Sequence, residues 1–592
     1  MKKRIADIVA DVLVENKITD IFSLVGGGAM FLNDAFGHRE ELNVVYNQHE
    51  QACSMAAEGY VRATGDMAAV CVTTGPGGTN AITGVLGAFQ DNYPMLIVSG
   101  QVRYETSSMS TGLPLRFMGE QEHNIVDTVR PLTKYAVMVT KPEDIRYELE
   151  KAIWIAKDGR KGPCWVDIPM NIQSGVIDPQ ELRHFTPETT ALGWDKDALL
   201  NELKKAKRPV ILAGSALRSN GCIAQFRKLS DKLKIPVLAA TYNADLMSPE
   251  DAFYYGNFGI NGGRAGNFMV QNADLLIGLG CRMTFRQIGY NYEAFSPNSC
   301  KIVVDVDENE LKKPTLNIDV PICTDIKNVL DYLENIEYQY EDESGWLDYC
   351  DSLRNELPVY LDKFNISEAV NPYYFFKTLK QLLPEDAIVV LGNSGIAGHV
   401  LQLGIDKPEQ RIINNMNCGS MGYDLPAAIG AAVAAKKPIT LITGDGSIVL
   451  NIQELMTVQH YQIPLKIFIC SNGGYRGIVR SQANMFGGRY TGCTTDTGVE
   501  MPSFKKIADV FDLPYYLVEN HAQLQSTLEN VYASDEACIC EIMQDLDQVI
   551  EPRSSSKRLE DGSIVSPVID DLFPFLDREV YTKMQFKQAE KQ

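Results

Sequence analysis

The residues in this chain best suited to hold a metal are Asp445, in Gly444-Asp445-Gly446, and Asn472, in Ser471-Asn472-Gly473-Gly474-Tyr475. An apolar run, residues 439–443, leads into the first turn, and another, 465–470, leads into the second. Residues 451–462 between them read as a helix. Strand, acidic glycine turn, helix, strand and amide turn make one parallel crossover, which brings two oxygen ligands to neighbouring strand ends. Asp445 and Asn472 are hard oxygen donors, suited to Mg²⁺ that keeps positions open for phosphate. Gly446 and Ser447 start the helix, so backbone N–H groups and the helix dipole face the same anion. Gly-Asp-Gly alone would be a turn; the full spacing points to a diphosphate–metal site.

Two further segments could do chemistry. Glu50, in Asn47-Gln48-His49-Glu50-Gln51, stands where a strand hands over to an Ala-rich helix, a usual place for site residues in open α/β sheets. There it could deliver a proton, or be a first-turn acid favoured by the dipole. Gly75-Pro76-Gly77-Gly78-Thr79-Asn80 is another strand-ending glycine turn, either a ligand's close approach to backbone or a plain turn.

Positioning these residues takes several cores. A chain of 592 residues exceeds one core and implies about three to four domains. Apolar runs alternate with helical patterns in three blocks, as parallel sheets covered on both faces require. The first block carries apolar runs at 21–24, 44–46, 69–73, 95–99 and 164–167, and a Pro/Thr/Gly-rich linker follows over 179–193. The second carries runs at 209–214, 236–239, 275–278 and 302–305, and a charged, aromatic stretch, 333–351, leads to the third. The tail, 551–592, reads as an arm with a turn at Asp561-Gly562-Ser563 and a short helix over 570–581. A net charge of −21 with no basic cluster argues against nucleic acid or anionic membrane as partner. No run approaches the roughly 18 apolar residues of a membrane span. The 13 scattered cysteines fit free thiols in a reducing cytoplasm.

Taken together, the segments resemble the thiamine-diphosphate enzymes of the acetolactate synthase and pyruvate oxidase group. Glu50 with the Ala-rich helix, Gly75-Pro76-Gly77 with Asn80, Gly419-Ser420-Met421-Gly422 with Leu425-Pro426-Ala427-Ala428, and Gly444-Asp445-Gly446 with Asn472 occur in that family's order. The match covers about residues 1 to 545. It implies three doubly wound parallel-sheet α/β domains: pyrimidine-binding (1–180), central Rossmann-like (194–335) and thiamine-diphosphate/Mg-binding (365–548). A C-terminal arm (549–592) lies outside it. Asp445, Asn472 and the Gly474 carbonyl would hold Mg²⁺ on the cofactor diphosphate. Met421 would wedge its two rings together, and the Gly419 carbonyl would accept from the aminopyrimidine. Glu50 would protonate the opposite ring nitrogen. The implied reaction is decarboxylation of a 2-oxo acid, pyruvate in the first instance, and transfer of the acyl unit to a carbonyl acceptor. The family shares its sites between subunits, which implies a homodimer or tetramer.

Departures from the pattern matter most on the acceptor side. Ser471 replaces the first residue of an Asn-Asn pair, and Asn393 and Ser394 stand where Gln-His often touches the diphosphate. Gln121 matches a glutamine typical of acetolactate synthases, near the reacting carbons. Met55, however, replaces a phenylalanine, and Arg480, Ser481 and Gln482 occupy a Met-Gln-Trp stretch whose indole selects a small 2-oxo acid. An amide beside an Arg implies a more polar acceptor, such as a keto-sugar nucleotide. Simple decarboxylation or oxidation is the other alternative, though no adjacent His pair is present. In the central block Gly214-Ser215, Arg264, Gly280-Cys281-Arg282 and Asp305-Val306-Asp307 match an FAD site, while residues 282–286 and 260–262 depart from it; FAD stays open. A dinucleotide dehydrogenase would need a Gly-x-Gly-x-x-Gly turn, which Gly26-Gly27-Gly28 does not supply.

Overall fold

The apolar runs become parallel strands buried on both faces, as their lack of polar alternation requires. The computed structural model describes residues 2–188, 193–558 and 561–587; residues 189–192 of the expected linker, and 559–560 and 588–592 of the arm, lie outside the described residues. The first sheet contains β1 (Asp20–Ser23), β2 (Asn43–Tyr46), β3 (Ala68–Val72), β4 (Met95–Gln101), β5 (Tyr135–Met138) and β6 (Cys164–Pro169), in the order β2-β1-β3-β4-β6-β5. The central sheet contains β7 (Pro209–Ala213), β8 (Val237–Ala240), β9 (Tyr254–Phe258), β10 (Leu275–Leu279), β11 (Cys300–Asp305) and β12 (Val320–Cys323), in the order β9-β8-β7-β10-β11-β12. The third contains β13 (Ile388–Leu391), β14 (Arg411–Ile413), β15 (Ile439–Gly444), β16 (Leu465–Ser471), β17 (Tyr515–Val518) and β18 (Cys538–Met543). Its order, β14-β13-β15-β16-β18-β17, repeats that of the first sheet. Strands β5, β9 and β12, which no apolar run announced, are edge strands with partly exposed residues.

The crossover between β15 and β16 differs from the single helix expected over 451–462. A helical turn begins at Asp445 and the chain kinks at Asn451, whose φ of −137° is non-helical; the helix resumes over Leu455–His460. The kink frees Asn451 Nδ2 to donate to the Gly422 carbonyl at 2.7 Å and to Gln51 Oε1 at 3.0 Å. This one amide therefore ties the third domain to the first.

The helix Glu50–Thr64 lies along the helix Asp424–Ala435 through small residues. A Cβ on Gly59 would sit 2.2 Å from the Ala427 carbonyl oxygen, and one on Gly430 would sit 1.8 Å from that of Ala56. Only glycine allows this approach. Beside the seam Arg62 pairs with Glu58 and Asp91 within the first domain. Burial pushes the Glu58 carboxyl up to about 7 despite that partner.

The stretch 333–351 is only partly a connector: Trp346, Cys350 and Leu353 of the helix Trp346–Glu356 are buried in the central core. The arm then returns to that core. Gln402 donates to the Pro552 carbonyl at 2.8 Å, and Arg264 donates to the carbonyls of Leu572 and Pro574. Phe586 meets the rings of Trp346 and Tyr349 at 5.7 and 5.2 Å. The turn at Asp561 forms as expected, with Gly562 at φ +83°, but the short helix occupies Arg578–Lys583. Among the described residues no helix is long and apolar enough to cross a membrane. All 13 cysteines are free.

Candidate functional site: two half-sites at topological switch points

In open α/β sheets a ligand crevice forms where neighbouring strands send their connections to opposite faces. In the third sheet this is the β13/β15 boundary, where residues 392–394 meet Gly444 and Asp445. The two turns touch: a Cβ on Gly444 would lie 2.8 Å from that of Ser394, and one on Gly392 would lie 2.4 Å from Thr443 Oγ1. Asp445 Oδ2 accepts the N–H groups of Asn472, Gly473 and Gly474 at 2.9, 2.8 and 3.0 Å, while Oδ1 accepts that of Gly446 at 2.8 Å. One carboxylate thus folds the amide turn after β16 around itself. Even so, burial outweighs these donors and holds the Asp445 carboxyl above its ordinary range.

Three buried oxygens around this carboxylate have no hydrogen-bond partner: Asn472 Oδ1, Asn393 Oδ1 and Ser394 Oγ. Orphaned buried acceptors cost free energy unless a cation or donor fills the space. The donor set therefore fits a metal-bound diphosphate. The Gly474 carbonyl accepts from Arg476 N at 2.9 Å and keeps its second lone pair. Ser447 Oγ accepts from Gly422 N at 3.2 Å, and Ser447 also bonds Asp424, a buried acid that takes the Thr443 hydroxyl. Asn393 Nδ2 holds the Ser420 carbonyl at 2.5 Å. Above this base Gly419 adopts φ +68°, its carbonyl accepts no hydrogen bond from a described residue, and Met421 is 36% exposed.

The equivalent boundary of the first sheet, β1/β3, carries the second half-site. Glu50 is the first residue of its helix, with His49 as N-cap, and is only 9% exposed. Asn80 Nδ2 donates to Glu50 Oε2 at 3.0 Å, so these residues, 30 apart in sequence, form one unit. A Cβ on Gly77 would lie 3.6 Å from Glu50 Oε1, and one on Gly75 (φ +61°) would lie 2.1 Å from the Gln121 carbonyl. Pro76 opens the following helix. The Gln121 side chain is exposed, and its segment meets Gly75 through the backbone. Among the described residues no hydrogen bond joins Glu50 itself to Asp445, Asn472 or Met421.

The acceptor-side candidates occupy three different settings. Met55 is fully buried in the seam against Tyr423 and Leu425, with its sulfur 3.7 Å from Asn451 Nδ2, so it packs a core rather than lining an opening. The Gln482 amide is spent on the Thr491 backbone, accepting N–H at 2.7 Å and donating to the carbonyl at 3.0 Å. Arg480 is half-buried, with Nη2 bonded to the carbonyls of Leu546 and Gln548. Asn451 and Asp424 were not singled out from sequence, because their roles depend on partners on other elements.

At the central switch point, β7/β10, a cleft opens between Gly214-Ser215, Gly280-Cys281-Arg282 and Asp305-Val306. Arg160, Lys161 and Arg286 add positive charge to its lining. Arg264, expected here, instead binds the arm.

Comparison with known proteins agrees with this layout. Family models describe residues 3–128 as the N-terminal TPP binding domain of thiamine pyrophosphate enzymes, 197–333 as their central domain, and 391–542 as their C-terminal TPP binding domain. The chain is 30% identical to the acetolactate synthase isozyme 3 large subunit of Escherichia coli, over 88% of this chain and 91% of that one. It is 30% identical to a probable acetolactate synthase large subunit of Methanocaldococcus jannaschii, over 99% and 98%. It is 28% identical to acetolactate synthase 2, chloroplastic, of Nicotiana tabacum, over 89% and 80%. Three domains with their switch-point turns and two polar half-sites thus coincide with one set of relatives, and the chain belongs to the thiamine pyrophosphate enzymes.

Proposed function

We propose that this thiamine-pyrophosphate enzyme decarboxylates a small 2-oxo acid, pyruvate in the first instance, and transfers the remaining acyl unit to a carbonyl acceptor. The relatives' acetolactate synthase names support the donor and the reaction type. The observation that carries the reading is the trio of orphaned oxygens around Asp445, a seat for a metal-bound diphosphate. Mg²⁺ is the ion we assign there, with Asp445, Asn472 and the Gly474 carbonyl as ligands. When bound, the thiamine group supplies the electron sink that decarboxylation of a 2-oxo acid requires.

The chain's own residues do the rest. Glu50 holds a proton at Oε1, the oxygen that Asn80 leaves free, in a site from which water is largely excluded. Asn80 fixes the carboxyl's orientation, and Gly77 leaves room beside it. Ser447, Asn393 and Ser394 would hold the diphosphate, and Met421 would pack against the rings of the bound group.

The two domains that carry the half-sites present exposed apolar side chains: Val25 and Phe117 on the first, the latter 70% exposed, and Leu450, Ile478 and Phe486 on the third. That exposure supports a homodimer, or a tetramer, in which a second copy covers them. The thirteen free thiols support a cytoplasmic setting. The cleft at β7/β10 supports a bound nucleotide, and its flavin character is read from the visible spectrum of the purified protein.

The reading is tested by titrating thiamine diphosphate and Mg²⁺ and measuring pyruvate consumption with 2-oxobutyrate, a keto-sugar nucleotide, or no acceptor. Turnover that depends on the cofactor supports it; a chain that ignores thiamine diphosphate ends it. Turnover without any acceptor would favour a plain decarboxylase.

A further inference from the structure

The helix Arg476–Phe486 follows directly on the Asn472–Gly474 turn and buries none of its residues. Two of its arginines, Arg476 and Arg480, share one neighbourhood with Arg553, which comes from the C-terminal arm. Arg480 binds the carbonyls of Leu546 and Gln548, and this same strand of backbone runs on into Arg553 five residues later. Arg553 is held by its own N–H to the Phe573 carbonyl at 2.9 Å and stacks its guanidinium 5.1 Å from that ring. The positive field of Arg476 and Arg553 reaches Arg480. Nε of Arg476 and Nε of Arg553 are buried without a hydrogen-bond partner. Among the described residues none of the three guanidinium groups forms an ion pair. The nearest acids felt by Arg480 are Asp547 and Asp545, and Asp545 is engaged by the Ser367 hydroxyl at 2.8 Å.

This is an unusual accumulation in a chain of net charge −21. Three like charges on two separate segments cost free energy unless an anion joins them. One carboxylate would leave two guanidinium groups uncompensated. A phosphate offers about two charges and three acceptor oxygens, matched to the guanidinium fork. The cluster adjoins the metal turn, since Arg476 N bonds the Gly474 carbonyl. The Asp445 half-site, by contrast, presents orphaned acceptors, which suit a cation.

We propose that Arg476, Arg480 and Arg553 seat the phosphate of a phosphate-bearing carbonyl acceptor, so that the arm selects the second substrate. This rests on the carboligase reading above. The test uses the enzyme saturated with thiamine diphosphate and Mg²⁺. Inorganic phosphate is titrated calorimetrically, and D-glyceraldehyde 3-phosphate is compared with D-glyceraldehyde as acceptor for pyruvate-derived acyl units. Phosphate should bind this loaded enzyme, with an affinity that falls as ionic strength rises. Arg480→Gln and Arg553→Gln should each weaken it tenfold or more, and lower the kcat/KM preference for the phosphorylated over the neutral acceptor by a similar factor. Because the two residues lie on separate segments, failure of one variant to fold leaves the other to decide. Three results overturn the proposal: phosphate binding only cofactor-free protein, no binding at millimolar phosphate, or variants that bind as the parent does. Loss of all pyruvate consumption in the unsubstituted enzyme would instead defeat the reading it rests on, while phosphate binding stays measurable.

Discussion

Replacing Asp445 with asparagine tests whether this carboxylate organises the metal turn before any metal arrives. Its four N–H partners lie at 2.8–3.0 Å. Bonds to a charged acceptor contribute about 1.5–3 kcal/mol each, against about 0.5–1.5 for neutral ones. If the asparagine oxygen faces Asn472, Gly473 and Gly474, those three bonds each weaken by about 1 kcal/mol, and the Gly446 N–H is left facing an NH₂ group. Burial already disfavours the ionised carboxyl, so removing its charge recovers part of that loss. The net effect is about 2–4 kcal/mol of local stability, or amide exchange roughly 30- to 700-fold faster at the tenfold-per-1.4-kcal/mol conversion. A chain with three domains gives no single unfolding midpoint to carry this number. Hydrogen–deuterium exchange resolved at residues 446 and 472–474 reads it locally. Cofactor and Mg²⁺ should slow exchange there in the parent and much less in Asp445→Asn. Unchanged exchange in the cofactor-free variant would refute the reasoning, because the turn would then be held by something other than this carboxylate.

Glu50→Gln keeps the shape beside Asn80 but cannot hold a transferable proton, so pyruvate turnover should fall about 10²- to 10⁴-fold while thiamine diphosphate still binds; kcat within threefold of the parent would count against proton delivery. Gly430→Ala would place a Cβ 1.8 Å from the Ala56 carbonyl oxygen, forcing the two seam helices apart at a cost of about 3 kcal/mol or more, seen as earlier proteolytic opening between the first and third domains; parent-like resistance would show that the seam is loose. Asp167 is buried with only Ser99 and Gln101 as partners, and burial raises its carboxyl to about 7. Between its ordinary value near 3.8 and about 7 the folded state binds the proton more tightly than the unfolded one, so this residue's contribution to stability falls as pH rises through that window. The first domain's own denaturant midpoint, followed by Trp154 and Trp165 fluorescence with Trp194 and Trp346 replaced, should therefore drop less from pH 4 to pH 7 in Asp167→Asn than in the parent; equal slopes would show that Asp167 is not the titrating group.

The sequence made the metal turn legible because its parts are local: strand, glycine and ligand occupy neighbouring positions, and the second turn follows one crossover later. The Glu50–Asn80 pair was harder, since nothing in either segment alone distinguishes a proton donor from a first-turn acid. The three domains could be read because interior parallel strands are continuous apolar runs, whereas the edge strands β5, β9 and β12 are not. Side chains that act across elements escaped. Asn451 looked like one more helical residue, yet its kink lets it bridge Gly422 and Gln51. Gln482 also pairs with a backbone loop nine residues on, a contact that no local pattern announces. Arg553 carried no signal, because its neighbours Arg476 and Arg480 are about 75 residues away in sequence.

The docking of Phe586 onto Trp346 and Tyr349 has a bearing on how the polypeptide is made. During synthesis the aromatic face of the middle unit stays uncovered until roughly 240 further residues have been added, about 12–48 s at ordinary ribosomal speeds. Over that interval the nascent protein displays a tryptophan-centred sticky patch, which chaperones or a neighbouring nascent chain can reach before its own C-terminus does.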